Sequence, residues 1–402
     1  MKIVDSKKLI CGLLIAAFFT FGCKKNLTPA PETPLSAKDS ISTPTFDTTL
    51  FTVSGSGGVD DGQILLALNT NSSNDGHLLV LDKNGNILKE KDAGARADNF
   101  QKWVMGGQTY YSYLLAEGDY AVGGAGTEEG YYVICDTSLN EISRAKFLTD
   151  ENIDDSDNDR LDVHDFILLG SNHYMAISAQ LQTPTNIPDS LNPSSKARVV
   201  ACLIEEVQNG QVIFKWNGAD HPEFYGESVE NNNFSDSVNT IDYMHMNFLC
   251  IDPNDNNIIC SFRNLNEIIK INRTTGAIMW RLGGKYSDFP LTADQQFLRQ
   301  HYARFTDNGK TLIFVDNGDA TLRPYSRILE FQLDETDKTV SNYSAYMVPD
   351  NFIQYAGSVK KENGYYFIGG GSANYALQVN YTTNEVYLRI NQKFSSYRAL
   401  KY

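Results

Sequence analysis

One unit recurs six times along the chain, and no other feature of the sequence limits the fold as tightly. Each copy is an apolar stretch of strand length, a short polar loop, a second apolar stretch, a turn rich in Asp, Asn, Thr and Gly, and a third stretch. The copies run over 64–90, 120–147, 173–216, 257–282, 311–346 and 365–390. The turns before the third stretch, such as Lys83-Asn84-Gly85-Asn86 and Arg273-Thr274-Thr275-Gly276, carry the Asn and Gly chemistry of tight hairpins. No helical i, i+3, i+4, i+7 period is sustained anywhere. The repeat spacing of about 50–70 residues is longer than a minimal propeller blade, as expected when loops are inserted on one face. Six small antiparallel sheets in series predict an all-β chain, a six-bladed β-propeller over 51–402. A pair of β-sandwiches would give no reason for six similar units.

Before most copies lies a further strand that would be the innermost of its blade: 161–169, 242–251, 300–306 and 352–360. The first blade has only 48–54 upstream. The C-terminal stretch Tyr397–Tyr402 could serve there instead and close the ring, leaving no free sheet edge.

Three of the six histidines fall at equivalent places in three successive copies. His164 lies 10 residues before Tyr174, His245 lies 13 before Ile258 and His301 lies 11 before Leu312. Innermost strands line a propeller's central channel, so these three imidazoles are expected to converge there. At the matching place the sixth copy has Gln354-Tyr355 and the second has Gln108 and Tyr110. His77, His173 and His221 show no such alignment. Asn247 is two positions after His245, and a period of two puts both side chains on one side of a strand. Arg263 ends the next strand of the same blade. Three His with Asp165 beside His164 keep a zinc site in view. An Arg among them repels a divalent cation and attracts an anion with tetrahedral oxygens, and the anion reading is preferred, with no metal. Trp103, Phe289, Tyr302 and Tyr325 are candidates to stack on a bound ring.

The ends and the charge narrow the setting. Residues 1–22 join a basic start (Lys2, Lys7, Lys8), an apolar run from Leu9 to Phe21 and a Gly directly before Cys23. The run is shorter than the ~18–20 residues of a membrane span and reads as a lipoprotein signal peptide, with Cys23 as the lipidation site. Residues 23–50 are rich in Pro, Thr and Ser and read as a flexible tether. The expected location is the bacterial cell envelope, anchored by lipid on the periplasmic side or at the outer membrane. The formal net charge of −15 argues against nucleic acid as a partner. An anionic small substrate would have to be held by locally placed Arg and His. Beyond Cys11 and Cys23 there are four cysteines, with no CxxC spacing. Cys250 and Cys260 flank a polar turn and would either bridge or stay as buried thiols.

An ordered series of motifs then becomes specific: Asp242-Tyr243-Met244-His245-Met246-Asn247, Ser261-Phe262-Arg263-Asn264, Trp280-Arg281-Leu282-Gly283-Gly284, Gln300-His301 and Phe314-Val315-Asp316-Asn317-Gly318. The series resembles the core of the bacterial aryl-sulfate sulfotransferases, most strongly over 160–320. The resemblance implies transfer of a sulfuryl group from an aryl sulfate donor to a phenolic acceptor, with no nucleotide cofactor. It makes His301 the histidine that transiently carries the sulfuryl group, with His164, His245, Asn247 and Arg263 around the sulfate. Larger members have an N-terminal β-sandwich domain that assists dimerisation; a tether stands in that place here, so a homodimer is left open. On the residues alone two other functions stay in play, a metal-dependent hydrolase using the His cluster and a non-enzymatic propeller that binds a ligand.

Overall fold

The computed structural model describes residues 47–70, 75–116, 129–151, 159–349 and 352–402. The proposed signal peptide, Cys23 and most of the tether lie outside them. Six sheets account for the strands, antiparallel except where Thr240–Ile241 runs parallel to Arg198–Gln208, and the described residues contain no α-helix. No helix among them is long and apolar enough to cross a membrane.

Blade 3 runs Phe166–Gly170, His173–Gln182, Arg198–Gln208, Gln211–Asn217; blade 4 runs Met246–Ile251, Ile258–Phe262, Glu267–Ile271, Ile278–Gly283. Blade 5 follows with His301–Thr306, Thr311–Asp316, Arg327–Asp334 and Thr339–Met347. Burial along each blade explains the sequence pattern. The second strands Ile258–Phe262 and Thr311–Asp316 are buried at every position, because blades stack face to face, whereas the outermost Thr339–Met347 is largely exposed. Each fully buried Leu, Ile or Phe between blades contributes roughly 1.5–3 kcal/mol.

Closure uses both ends of the described chain. The C-terminal strand Ala399–Lys401 pairs with Ile64–Asn69 as the innermost strand of blade 1, with Ile64 opposite Lys401. Phe51–Gly55 instead joins the outer edge of blade 6, pairing with Val386–Gln392. The end of the expected tether is packed: Asp47 caps the turn Thr48–Leu50, and Leu50 is buried among the strands of blades 1 and 6.

One expectation about strands is corrected, and the choice left open for the cysteines is decided. The innermost strand of blade 2 is Ala97–Met105 and the second is Gln108–Ala116, so Gln108 and Tyr110 lie on the second strand, away from the channel. Residues 120–126, read as a strand of that copy, lie outside the described residues. Cys250 and Cys260 are free thiols. Cys250 stands opposite Ile259 and Cys260 opposite Leu249, one step out of register, so the two point to opposite faces of blade 4 and cannot bridge.

The channel axis is filled below its mouth. Asp165 accepts hydrogen bonds from Phe166 N at 3.0 Å, Leu249 N at 3.1 Å, Arg398 Nη1 at 3.0 Å and Arg304 Nη2 at 3.2 Å. Arg398 Nη1 also donates to Asn99 Oδ1 at 3.0 Å. One buried carboxylate thereby ties together the inner strands of blades 1 to 5. The guanidinium of Arg398 lies over the rings of Tyr302 and Tyr397.

Candidate active site

All three aligned histidines sit where an innermost strand begins. His301 is the first residue of its strand in blade 5, and His245 directly precedes Met246–Ile251. His164 follows Leu161–Asp162, and Asp162 Oδ1 accepts from its backbone N at 2.7 Å and from its Nδ1 at 2.5 Å. His245 Nδ1 bonds Asp242 Oδ2 at 2.5 Å. The rings of His164 and His245 meet edge to face with centroids 4.9 Å apart. Arg263 stands beside them because its backbone N bonds His245 O at 2.9 Å, extending the pairing of the first two strands of blade 4.

These four side chains line one cavity of about 590 Å³ together with Asp242, Glu230 and Tyr355. Tyr397 adds its ring edge-on to His164 at 5.5 Å. None of Trp103, Phe289, Tyr302 or Tyr325 lines it; Phe289 and Tyr302 are buried in blade cores.

His301 differs from the other two histidines in what holds it. Its Nδ1 meets two neutral oxygens, Asn317 Oδ1 at 2.7 Å and Arg299 O at 3.0 Å. Burial pushes its pKa well below the usual imidazole value; Arg263, His164 and His245 push the same way, against the bond from Asn317. The ring is therefore neutral at pH 7. Burial alone would raise the pKa of Asp242, but His245, then His164 and Arg263, outweigh it and keep the group a carboxylate.

A family model of the arylsulfotransferases (ASST) matches residues 59–400. The chain belongs to the arylsulfotransferase family. It is an aryl sulfotransferase in the general sense, with an aryl sulfate as donor and a phenol as acceptor. No curated protein matches the sequence. Among solved structures, the arylsulfotransferase chain is similar to the periplasmic gluconolactonase PpgL of Pseudomonas aeruginosa, at 10% identity and a TM-score of 0.46 over 85% of this chain and 99% of that one. It is similar also to the β-propeller domain of Myceliophteria thermophila Cps50 (Swd1), at 8% identity and a TM-score of 0.44 over 86% and 90%.

Two sequence expectations about this arylsulfotransferase's site differ from what is seen. Asp165 turns away from the histidines toward Arg304 and Arg398, which outweigh its burial and hold its pKa down. Among the described residues no group of three or more His, Cys, Asp or Glu is arranged to hold a metal. Asn247 is absent from the cavity wall. His245 has a left-handed φ of 54° and Asn247 is a bulge between the paired Met246 and Phe248, so the period of two breaks there. The Asn247 side chain donates to Gln300 O at 2.6 Å, tethering the backbone that carries His301.

Sequence reasoning assigned no role to Asp162, Asp242, Glu230, Asn317 or Tyr397. An Asp two or three residues before each of His164 and His245 was a usable signal, since a short acidic side chain there folds back onto the following residues. Glu230 pairs with Arg263 Nη1 at 3.1 Å and with Arg299 Nε at 2.7 Å, links between distant loops that no local pattern announces.

Proposed function

We propose that this arylsulfotransferase moves the sulfuryl group in two steps through an N-sulfated His301. The observation that carries the reading is the contrast in partners: His301 alone of the three has neutral oxygens on Nδ1, while His164 and His245 have carboxylates. A neutral imidazole has a lone pair to attack with. An imidazole backed by a carboxylate is fit to hold and pass a proton, its Nδ1 fixed as donor and the carboxylate offsetting the charge.

In the first step His301 Nε2 attacks sulfur, the S–O bond to the aryl group breaks, and the leaving phenolate takes a proton from Nε2 of His164 or His245. In the second step the same imidazole removes the proton of the incoming phenol, whose oxygen attacks sulfur. The N–S bond then breaks and its electron pair returns to His301. Transfer of this kind passes through a loose in-line transition state, so the protein mainly positions groups and compensates charge. An aryl sulfate alone should add about 80 Da, one SO3, to the protein on His301, and a phenol should remove it. Intact and peptide mass spectrometry check this; no adduct, or one on another histidine, sinks the reading.

Arg263 is the charge partner of the travelling group. Its Nη1 is committed to Glu230 and to Asn264 Oδ1 at 2.6 Å. Nε and Nη2 are then available as a fork for two sulfuryl oxygens. Lys at this position keeps a charge but has no fork, so Arg263→Lys should lower turnover about tenfold or more. Unchanged turnover would remove Arg263 from the site.

The layout of residues 1–23 supports export with lipid on Cys23, which would hold the propeller at the cell envelope and outside the cytoplasm.

A further inference from the structure

We infer that Asn317 is the positioning residue that fixes the proton of His301 on Nδ1 and so leaves the Nε2 lone pair for sulfur. The inference rests on His301 being the nucleophile. Asn317 directly follows the second strand of blade 5 and is fully buried. Its amide can sit only one way round. Nδ2 donates to Ile353 O at 2.9 Å and to Ala356 O at 3.0 Å, so Oδ1 is the atom that meets His301 Nδ1. An amide oxygen and the Arg299 carbonyl can only accept, so the ring hydrogen lies on Nδ1.

On the other side of the ring, the Ala356 backbone N–H donates to Nε2 at 3.3 Å. Ala356 has a φ of 59°, a left-handed conformation that a residue with a Cβ rarely adopts, and the bond from Asn317 to its carbonyl helps to hold it there. One side chain therefore orients the nucleophile and the segment whose long N–H contact to Nε2 the sulfur must displace. The neutrality of Asn317 is what matters. A carboxylate in its place, as at His164 and His245, would favour a second proton on the ring and occupy the attacking nitrogen. The other charged or titratable groups facing His301 are His164, His245 and Arg263, with Asp242, Glu230, Arg96, Asp98, Tyr355 and Tyr397 further along the wall. None of these is changed by substituting Asn317.

The test is Asn317→Asp, which keeps the acceptor and adds a negative charge. The rate of adduct formation on His301 is measured in single turnover from ~pH 5 to ~pH 8, with a nitrophenyl sulfate whose leaving group needs little protonation. In the wild type the rate should not fall on the acid side through the ordinary imidazole range near ~6.5. In the variant it should fall about tenfold per pH unit below a raised pKa, because the protonated ring has no lone pair. A loss equal at all pH values would reduce Asn317 to a structural role. If Asn317→Asp does not fold, the 15N spectrum of His301 in the wild type decides, with Nε2 expected as the unprotonated nitrogen and a proton on Nε2 overturning the inference. An adduct on His301 with an unmoved acid limb overturns this inference alone. A correct tautomer with no adduct overturns the proposed function and not the tautomer.

Discussion

Replacing His301 with alanine should lower aryl sulfotransfer on the order of 10⁴-fold or more and abolish the covalent adduct. The substitution removes the atom proposed to accept sulfur, so direct attack of phenol on the donor is all that would be left. Truncation also leaves Asn317 Oδ1 and Arg299 O without their shared donor, a cost of about 1–3 kcal/mol that should lower the melting temperature modestly without unfolding the propeller. His164→Ala or His245→Ala should behave differently. Losing a proton donor costs about 10²–10⁴-fold for a poor leaving group and much less for a nitrophenol, while the adduct on His301 still forms. Rates over a series of leaving groups, with mass spectrometry on each variant, separate the two patterns. Full turnover in His301→Ala would show that another residue carries the sulfuryl group.

Asp165→Ala should cost about 3–5 kcal/mol of stability, because it leaves the buried guanidinium of Arg398 and the guanidinium of Arg304 without their shared carboxylate. For a domain of this size that corresponds to a fall on the order of 10 °C in the melting temperature. The folded-state pKa of Asp165 lies below its unfolded value. Its contribution is therefore present above the unfolded value near ~3.9 and is lost as pH falls through the folded one. Variant and wild type should converge in acid. Thermal and denaturant unfolding at neutral and acid pH check both parts; a loss below about 1 kcal/mol at neutral pH would mean the arginines find other partners.

The repeat was legible because second strands buried on both faces read as unbroken apolar runs. Blade 2 misled for the opposite reason. Its inner strand Ala97–Met105 carries Asp98, Asn99 and Gln101, all buried, so a search for apolar runs passes over it. The three histidines were legible as one rare residue type at nearly one offset. Asn247 was misplaced because a rule of alternation has no knowledge of a left-handed residue two positions earlier. Asp165, in the turn between Leu161–Asp162 and Phe166–Gly170, is drawn from the histidines by Arg304 and Arg398. Tyr397 and Asn317 reach the site from the closing strand and from a neighbouring strand, and only the closed ring brings them there.

The ion cluster around Asp165 also divides the space along the channel axis. Above it lies the cavity with the histidines; below it a second hollow of about 230 Å³ is bounded by Tyr302, Arg304 and Lys401, and the two share no wall residue. Among the described residues the ion cluster thus stands between the histidine cavity and the hollow beneath it. Under the proposed two-step transfer, donor and acceptor would both reach His301 through the histidine cavity and so occupy it in turn.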